Sequence, residues 1–234
     1  MSPDDSDGHR RLRVIDEWEG GVGWLVHPEE SLRRAGHALR TDAGLWVVDP
    51  LDAPGLDDLL AEWGEVTGVA VLSSWHARDA GRVAARHGCP VSLPGGLKRV
   101  ADRLPDDVAV RRLPGRLGDS DYRLLPTAPL PTWQEAACYR ERDGTLLVPE
   151  SLGTAPTFTV GDERLGVSLW RRHDPPTAFG DRHIERVLVG HGEGVFEDAA
   201  ALADAIAGSR RRLPRALAAH LTTGLGELLR AALR

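Results

Sequence analysis

Short apolar runs separated by turn-forming residues open the chain. Val14–Trp18, Gly23–His27 and Gly36–Arg40 are each brief and bounded by glycine, proline or charged residues. Such punctuation is typical of antiparallel strands joined by short loops. The pattern therefore predicts an opening β-meander.

Strand-like and helix-like segments then alternate. Leu45–Pro50, with the sequence LWVVDP, is a β-branched apolar run that ends in aspartate and proline, and Gly55–Trp63 has its leucines at helical spacing. The same order follows in Gly68–Leu72, Asp79–His87 and Cys89–Leu93, which read as strand, helix and strand. This alternation is typical of an α/β unit with parallel strands.

Further strands and a helical end complete the pattern. Asp143 and Gly144 form a good hairpin turn between two of the later apolar runs. After Gly192 the pattern is helical, with one helix predicted over Glu197–Ser209 and a second beginning at Pro214. The later strands are predicted at Tyr122–Leu125, Ala136–Arg140, Thr145–Val148 and Arg186–Val189.

Composition sets the domain organisation. The 234 residues are 41% hydrophobic and 27% charged, which is enough apolar material for one full core. We expect a disordered leader over residues 1–12, a single domain over residues 13–212, and a C-terminal helix over residues 213–234 that packs on the same domain. The leucine face of that helix offers a homodimer contact, unless it simply covers the core.

Charge and cysteine content exclude several functions. The net charge of −6 argues against nucleic-acid binding, and the longest apolar runs fall short of the ~20 residues that cross a bilayer. The acidic, polar start is unlike a secretory signal, so we expect a cytoplasmic protein. Cys89 and Cys138 have no metal-binding or redox spacing and are expected to be reduced thiols.

Four blocks along the chain carry a family resemblance. They are Val69–Val91, LWVVDP upstream of it, PTWQEAACYRERDGTLLVPESL downstream, and VLVGHGEGV at Val187–Val195. In this order and spacing they resemble the metallo-β-lactamase superfamily. The resemblance implies an α/β (α+β) fold, built as a four-layer αββα sandwich.

The same resemblance locates the metal-ligand positions. In that family a His-x-His-x-Asp-His motif helps to hold two divalent ions that share a nucleophilic water. Of this motif only His76 matches by type, because Ser74 takes the place of the first histidine, Arg78 of the aspartate and Asp79 of the last histidine. Pro131 stands at the third-ligand position and cannot bind metal.

Two later positions keep residues that could act as donors. Glu150 replaces the bridging aspartate, and His191 keeps the final histidine. Together with His76 and Asp79 they could hold a single zinc, manganese or iron ion. This interpretation predicts hydrolysis of an ester, thioester or phosphoester, with Asp79 or Glu150 accepting a proton.

The preferred alternative is a cleft that holds no metal. A guanidinium at position 78 repels a divalent ion and could pair bidentately with Glu150 or Asp79 in its place. Such a cleft would bind an anionic small molecule through Arg78, with Ser74 and Trp75 beside it. Trp75 and Trp133 could each stack on a flat ligand group, although core packing is the simpler role for both.

Overall fold

A computed structural model describes residues 10–97, 99–127, 133–179 and 182–232, with the side chains of Ala199 and of residues 222–232 left aside. One sheet has seven strands in sequence order, antiparallel up to β4 and parallel from β4 onward. Its strands are β1 (Arg13–Trp18), β2 (Gly21–Leu25), β3 (Ala35–Thr41), β4 (Gly44–Val48), β5 (Val66–Ala70), β6 (Val91–Pro94) and β7 (Val110–Leu113). Helix α1 (Leu56–Trp63) links β4 to β5, and α2 (Ala80–Arg86) links β5 to β6.

A second sheet has five strands in the order β14-β13-β10-β9-β8. Its strands are β8 (Arg123–Pro126), β9 (Ala136–Arg140), β10 (Thr145–Val148), β13 (Arg186–Val189) and β14 (Val195–Phe196). Only β10 and β13 run parallel within it. Between β10 and β13 in the sequence, β11 (Leu152–Gly153) and β12 (Gly166–Val167) pair as a small antiparallel ribbon. The long helix α3 (Ala199–Ala232) follows β14.

Three apolar clusters show that these elements form four layers. Trp46 from the first sheet and Leu188 from the second lie in one cluster between the two sheets. A second cluster joins the first sheet to α1 and α2 through Leu60 and Val83. The third, which includes Leu202, joins the second sheet to α3. The predicted four-layer αββα sandwich is confirmed.

The run at β4 shows why the sequence folds this way. Leu45 and Val47 belong to the helix-side cluster, whereas Trp46 and Val48 belong to the cluster between the sheets. A strand that is covered on both faces needs apolar residues at every position rather than at alternate ones. The run ends at Asp49, which therefore emerges at the carboxyl edge of the sheet.

The C-terminal helix differs from the sequence prediction. Two helices separated at Pro214 were expected, but α3 continues through this residue without a break. A proline inside a helix removes one backbone hydrogen bond and costs ~3 kcal/mol. Ala216, just beyond the proline, is buried, so packing of the helix onto the domain continues past the proline and offsets part of that cost.

The chain start also contacts the domain where it is described. Residues 1–9 of the expected leader lie outside the described residues. The Arg10 guanidinium donates to the carbonyl of Asp52 at 2.9 Å, and the Arg11 N–H donates to the carbonyl of Val26 at 3.0 Å. Within the described part of the chain, no helix has both the length and the apolar character needed to cross a membrane.

Candidate functional site

The candidate site lies where parallel strands of both sheets end. The carboxyl ends of β4 and β5 lead to Asp49 and to the loop that carries His76, and those of β10 and β13 lead to Glu150 and His191. Because parallel neighbours end at the same sheet edge, chain topology alone brings these residues together. Open α/β sheets commonly bind ligands at this edge.

Asp49 fixes the orientation of His76. One carboxylate oxygen of Asp49 accepts the Leu72 N–H at 2.9 Å, and the other lies 2.9 Å from Nδ1 of His76. Asp49 adopts a positive φ of 48°, a conformation that aspartate tolerates better than most residues. The imidazole is therefore held at its Nδ1 side, which leaves Nε2 to face Glu150.

His76, Glu150 and His191 form a tight cluster. Oε2 of Glu150 lies 2.8 Å from Nε2 of His76 and 3.0 Å from Nε2 of His191. His191 is held on its other side by the carbonyl of Leu32, 3.0 Å from Nδ1, and by the ring of Phe158, stacked at 5.0 Å. Both histidines are buried, and the Glu150 side chain is 21% exposed. Glu150 is thus the member of the cluster that solvent reaches.

A buried carboxylate positions Glu150. Oε1 of Glu135 accepts the backbone N–H groups of Glu150 at 2.7 Å and Ser151 at 2.9 Å, and its Oε2 accepts the Ser151 hydroxyl. Burial raises the pKa of Glu135. Nothing in the sequence pattern pointed to this residue, because its partners lie in the loop after β10, which is brought close to it only when β9 and β10 pair in the sheet.

Arg78 lies directly over the cluster. Its Nη1 donates to the carbonyls of Ala35 at 2.7 Å and Asp49 at 3.1 Å, and its Nη2 donates to the carbonyl of Gly190 at 3.3 Å. The same Nη2 lies 3.0 Å from Nε2 of His76. Burial lowers the pKa of Arg78 to about 10, so the guanidinium stays charged at neutral pH.

The expected bidentate pairing of Arg78 is wrong. Arg78 forms no ion pair with either Glu150 or Asp79, both of which the structure describes. Its φ of 41° turns the backbone so that the guanidinium reaches three carbonyls contributed by distant segments. The arginine therefore holds the backbone around the site and places its charge next to His76.

Asp79 lies apart from the other candidate donors. Its Oδ2 accepts the backbone N–H of Asp52 at 2.9 Å and a guanidinium N–H of Arg10 at 3.2 Å. Among the described residues, the group of side chains close enough to share a metal ion contains His76, Glu150 and His191 but not Asp79. Asp79 instead ties the start of α2 to the loop after β4.

The residues expected to line the cleft differ in exposure. Ser74 is buried, and its hydroxyl oxygen accepts the Gln134 N–H at 3.1 Å. Trp75 is 60% exposed, so it does not pack in the core, whereas Trp133 is buried as core packing requires. Pro131, expected at the third-ligand position, lies outside the described residues.

Charges within the cluster compensate one another. Burial raises the pKa of Glu150, but hydrogen bonds from His191 and His76 outweigh it and hold the pKa far below the usual value. Burial and the Arg78 charge lower the pKa of His76, yet Asp49 and Glu150 outweigh both and raise it. Burial lowers the pKa of His191. Two carboxylates, those of Asp49 and Glu150, thus lie beside the guanidinium of Arg78 and the imidazole of His76.

The fold is shared with solved metallo-β-lactamases. FIM-1 from Pseudomonas aeruginosa in its mono-zinc form superposes with a TM-score of 0.61 at 10% identity, covering 88% of this chain and 96% of that chain. The metallo-β-lactamase from Hirschia baltica superposes with a TM-score of 0.57 at 11% identity, covering 86% of this chain and 98% of that chain. The DIM-1 metallo-β-lactamase superposes with a TM-score of 0.61 at 11% identity, covering 86% of this chain and 97% of that chain.

In sequence comparisons, neither a family model nor a curated protein matches the chain. The solved structures nevertheless cover most of this chain and nearly all of their own length. The protein therefore has the metallo-β-lactamase fold. At these identities the likeness concerns the fold, and the chemistry has to be argued from the site.

Proposed function

We propose that this protein works without the two-metal hydrolytic centre, and that Arg78 supplies the positive charge in place of a metal. The observation that carries this proposal is the guanidinium Nη2, 3.0 Å from Nε2 of His76. A metal bound to that nitrogen would lie ~2 Å from it. The ion and Nη2 of Arg78 would then lie no more than about 5 Å apart.

Coulomb repulsion at that separation is large. Two unit charges 4 Å apart repel by about 4 kcal/mol at an effective dielectric constant near 20, so a divalent ion would meet about 8 kcal/mol. This energy corresponds to a roughly millionfold loss of metal affinity. Asp49 and Glu150 offset part of it, but both carboxylates already interact with the charge of Arg78.

The remaining motif positions point in the same direction. Ser74 directs its hydroxyl at the backbone of Gln134, and Asp79 is bonded to Asp52 and Arg10. Three clustered donors remain among the described residues, which are too few for two ions that share a water. A two-metal centre therefore does not fit these residues.

In this proposal the cleft binds a small anionic molecule through a carboxylate or similar group. The place between the two imidazole Nε2 atoms already accepts a carboxylate oxygen, that of Glu150. Glu150 is the cluster member open to solvent, so a ligand anion could displace it. Trp75 is exposed one residue from His76 and offers a surface on which a flat group could stack.

Metal analysis of untagged protein, purified without chelator, tests this proposal. We expect less than about a tenth of an equivalent of zinc, manganese and iron, and no tight uptake of added zinc. One equivalent of metal that survives dialysis would contradict the proposal. Thermal-shift measurements with small carboxylates and matched neutral amides test the ligand class, and stabilisation by the amides alone would exclude an anionic ligand.

A single-metal hydrolase is the second candidate, supported by a separate observation. Nδ1 of each histidine faces an acceptor, the Asp49 carboxylate for His76 and the Leu32 carbonyl for His191. Metal-binding histidines characteristically donate their second ring N–H in this way, which leaves both Nε2 lone pairs for an ion. His76, Glu150 and His191 would hold such an ion, which would activate a water for hydrolysis.

Activity assays separate the two candidates. Protein loaded with zinc, manganese or ferrous iron is assayed on simple ester, thioester and phosphoester substrates, with Glu150→Gln as the matched variant. The hydrolase candidate requires turnover that depends on both the metal and Glu150. The proposal that Arg78 replaces the metal requires that loading add no turnover above the Glu150→Gln background.

A further inference from the structure

A cavity of about 270 Å³ lies behind the wall that supports His191. It is bounded by the loop before β3, the loop between β11 and β12, the segment just after β12, and helix α3, and it opens to solvent where Leu32 and Pro156 are exposed. Most of its lining is aliphatic. The apolar lining residues are Leu32, Pro156, Val160, Leu169, Ala216 and Ala219.

The polar groups of this lining restrict what the cavity could hold. Thr157 lines it, and its hydroxyl is buried without a hydrogen-bond partner in the described part of the chain. Arg172 also lines it, but its guanidinium donates to both carboxylate oxygens of Glu163, at 2.9 and 2.7 Å, and to the carbonyl of Phe158 at 2.6 Å. The buried charge is therefore fully used, whereas the buried hydroxyl is not.

We propose that this cavity binds a small uncharged molecule with an apolar body and one hydrogen-bond acceptor. A cavity of ~150 Å³ holds benzene, so this one has room for roughly ten non-hydrogen atoms. The acceptor would pair with the Thr157 hydroxyl, since a buried polar group without a partner is unfavourable. A charged ligand is disfavoured because the guanidinium of Arg172 is already paired with Glu163, and the other basic lining residue, His220, is exposed to water.

A ligand in the cavity would change the surroundings of His191 in the candidate site. The carbonyl of Leu32, a lining residue, accepts from Nδ1 of His191 at 3.0 Å. Phe158, next to Thr157 in sequence, stacks on the His191 ring at 5.0 Å. The cavity and the cluster thus share one wall, yet the inference does not depend on whether Arg78 or a metal serves that cluster.

Three probes of nearly equal shape test the ligand class. Acetophenone has an apolar body and one acceptor, 2-phenylpropene replaces that acceptor with a methylene group, and benzoate carries a charge. By titration followed with protein NMR, we expect acetophenone to bind with a dissociation constant on the order of a millimolar or lower. We expect about tenfold weaker binding of 2-phenylpropene and no binding of benzoate. The His191 ring signals should shift with acetophenone.

Variants show whether these probes enter this cavity. Ala216→Leu fills it and should abolish binding, whereas Ala218→Leu, on the exposed side of the same helix and outside the lining, should leave binding unchanged. Thr157→Val keeps the shape of the side chain and should remove the preference for acetophenone over 2-phenylpropene. If Ala216→Leu fails to fold, the loss of the preference for acetophenone in Thr157→Val tests the proposal by itself.

Two results would overturn the proposal. One is acetophenone binding that persists in Ala216→Leu or keeps its preference in Thr157→Val. The other is an absence of binding together with a concentration-dependent dimer that Ala216→Leu disrupts, because a second copy of the chain would then occupy the cavity.

Discussion

Replacing Arg78 by asparagine should turn the cluster into a zinc site. Asparagine removes the guanidinium and tolerates the positive φ of 41° at this position. His76, Glu150 and His191 keep their supporting contacts and can supply three donors to one ion. A zinc ion commonly accepts three such ligands and completes its shell with water.

The size of the effect follows from the charge removed. The full repulsion of about 8 kcal/mol is reduced by Asp49 and Glu150, and if half of it remains the gain in zinc affinity is roughly a thousandfold. The variant also loses the donors to the carbonyls of Ala35, Asp49 and Gly190. We therefore expect it to be less stable by about 1–3 kcal/mol without metal, and to recover stability when zinc is added.

Competition against a chromophoric chelator measures the affinity, and the visible spectrum of the cobalt-loaded protein reports the ligand geometry. Arg78→Lys is the matched control, because it keeps the positive charge and should not gain zinc. Equal zinc affinity in the wild type and in Arg78→Asn would refute the idea that the guanidinium excludes the metal. Tight binding by Arg78→Lys would show that the loss of backbone contacts, rather than charge, opens the site.

Three further predictions concern the cluster and the contacts that support the fold. Glu150→Ala should lower the melting temperature, and formate should restore it while chloride does not, because formate can occupy the place between the two imidazoles. Arg172→Met should cost about 3 kcal/mol in urea unfolding because it leaves the buried Glu163 with only the more distant guanidinium of Arg212, at 3.7 Å, and Arg172→Met combined with Glu163→Leu should recover much of that loss. Asp143→Asn tests a pH dependence far from the site: burial raises the pKa of Asp143, but Arg140 outweighs it and the pKa is lowered. Its contribution is therefore present at neutral pH, begins to fall near pH 4, where this carboxyl titrates in the unfolded chain, and is lost as pH falls through the lowered pKa of the folded state. The wild-type and variant stabilities should therefore converge only below about pH 4.

The strands and most of the helices could be predicted from the sequence because their signals are local, whereas the four-layer arrangement was implied by the family resemblance. A run such as LWVVDP has to be covered on both faces, and this constrains the strand wherever the rest of the chain lies. Pro214 misled the prediction for the opposite reason. Whether a proline ends a helix depends on the packing beyond it, here the burial of Ala216, which no local pattern reveals.

His76, Glu150 and His191 lie close together, but the contacts around them could not be predicted from the sequence. The family resemblance placed Asp79 among the donors, whereas the fold binds it to Arg10, a residue 69 positions away. The positive charge of Arg78 could be read from the sequence. Its carbonyl partners could not, because they come from three separate segments of the chain. Glu135 was missed because its role exists only once β9 and β10 are paired.

In the proposed metal-free site, the charges around His76 give this residue a role that does not require an ion. In a metal centre, the carboxylates at this sheet edge are neutralised by the ions they hold. In the proposed site, Asp49 and Glu150 lie beside the guanidinium of Arg78 and the imidazole of His76 instead. His76 would thus be needed with or without a metal, because it links the two carboxylates across the gap between the sheets. An incoming divalent ion would have to displace the guanidinium from Nε2 of His76, so in this proposal the metal-free arrangement is maintained by the charge of Arg78 and by the backbone contacts that hold it.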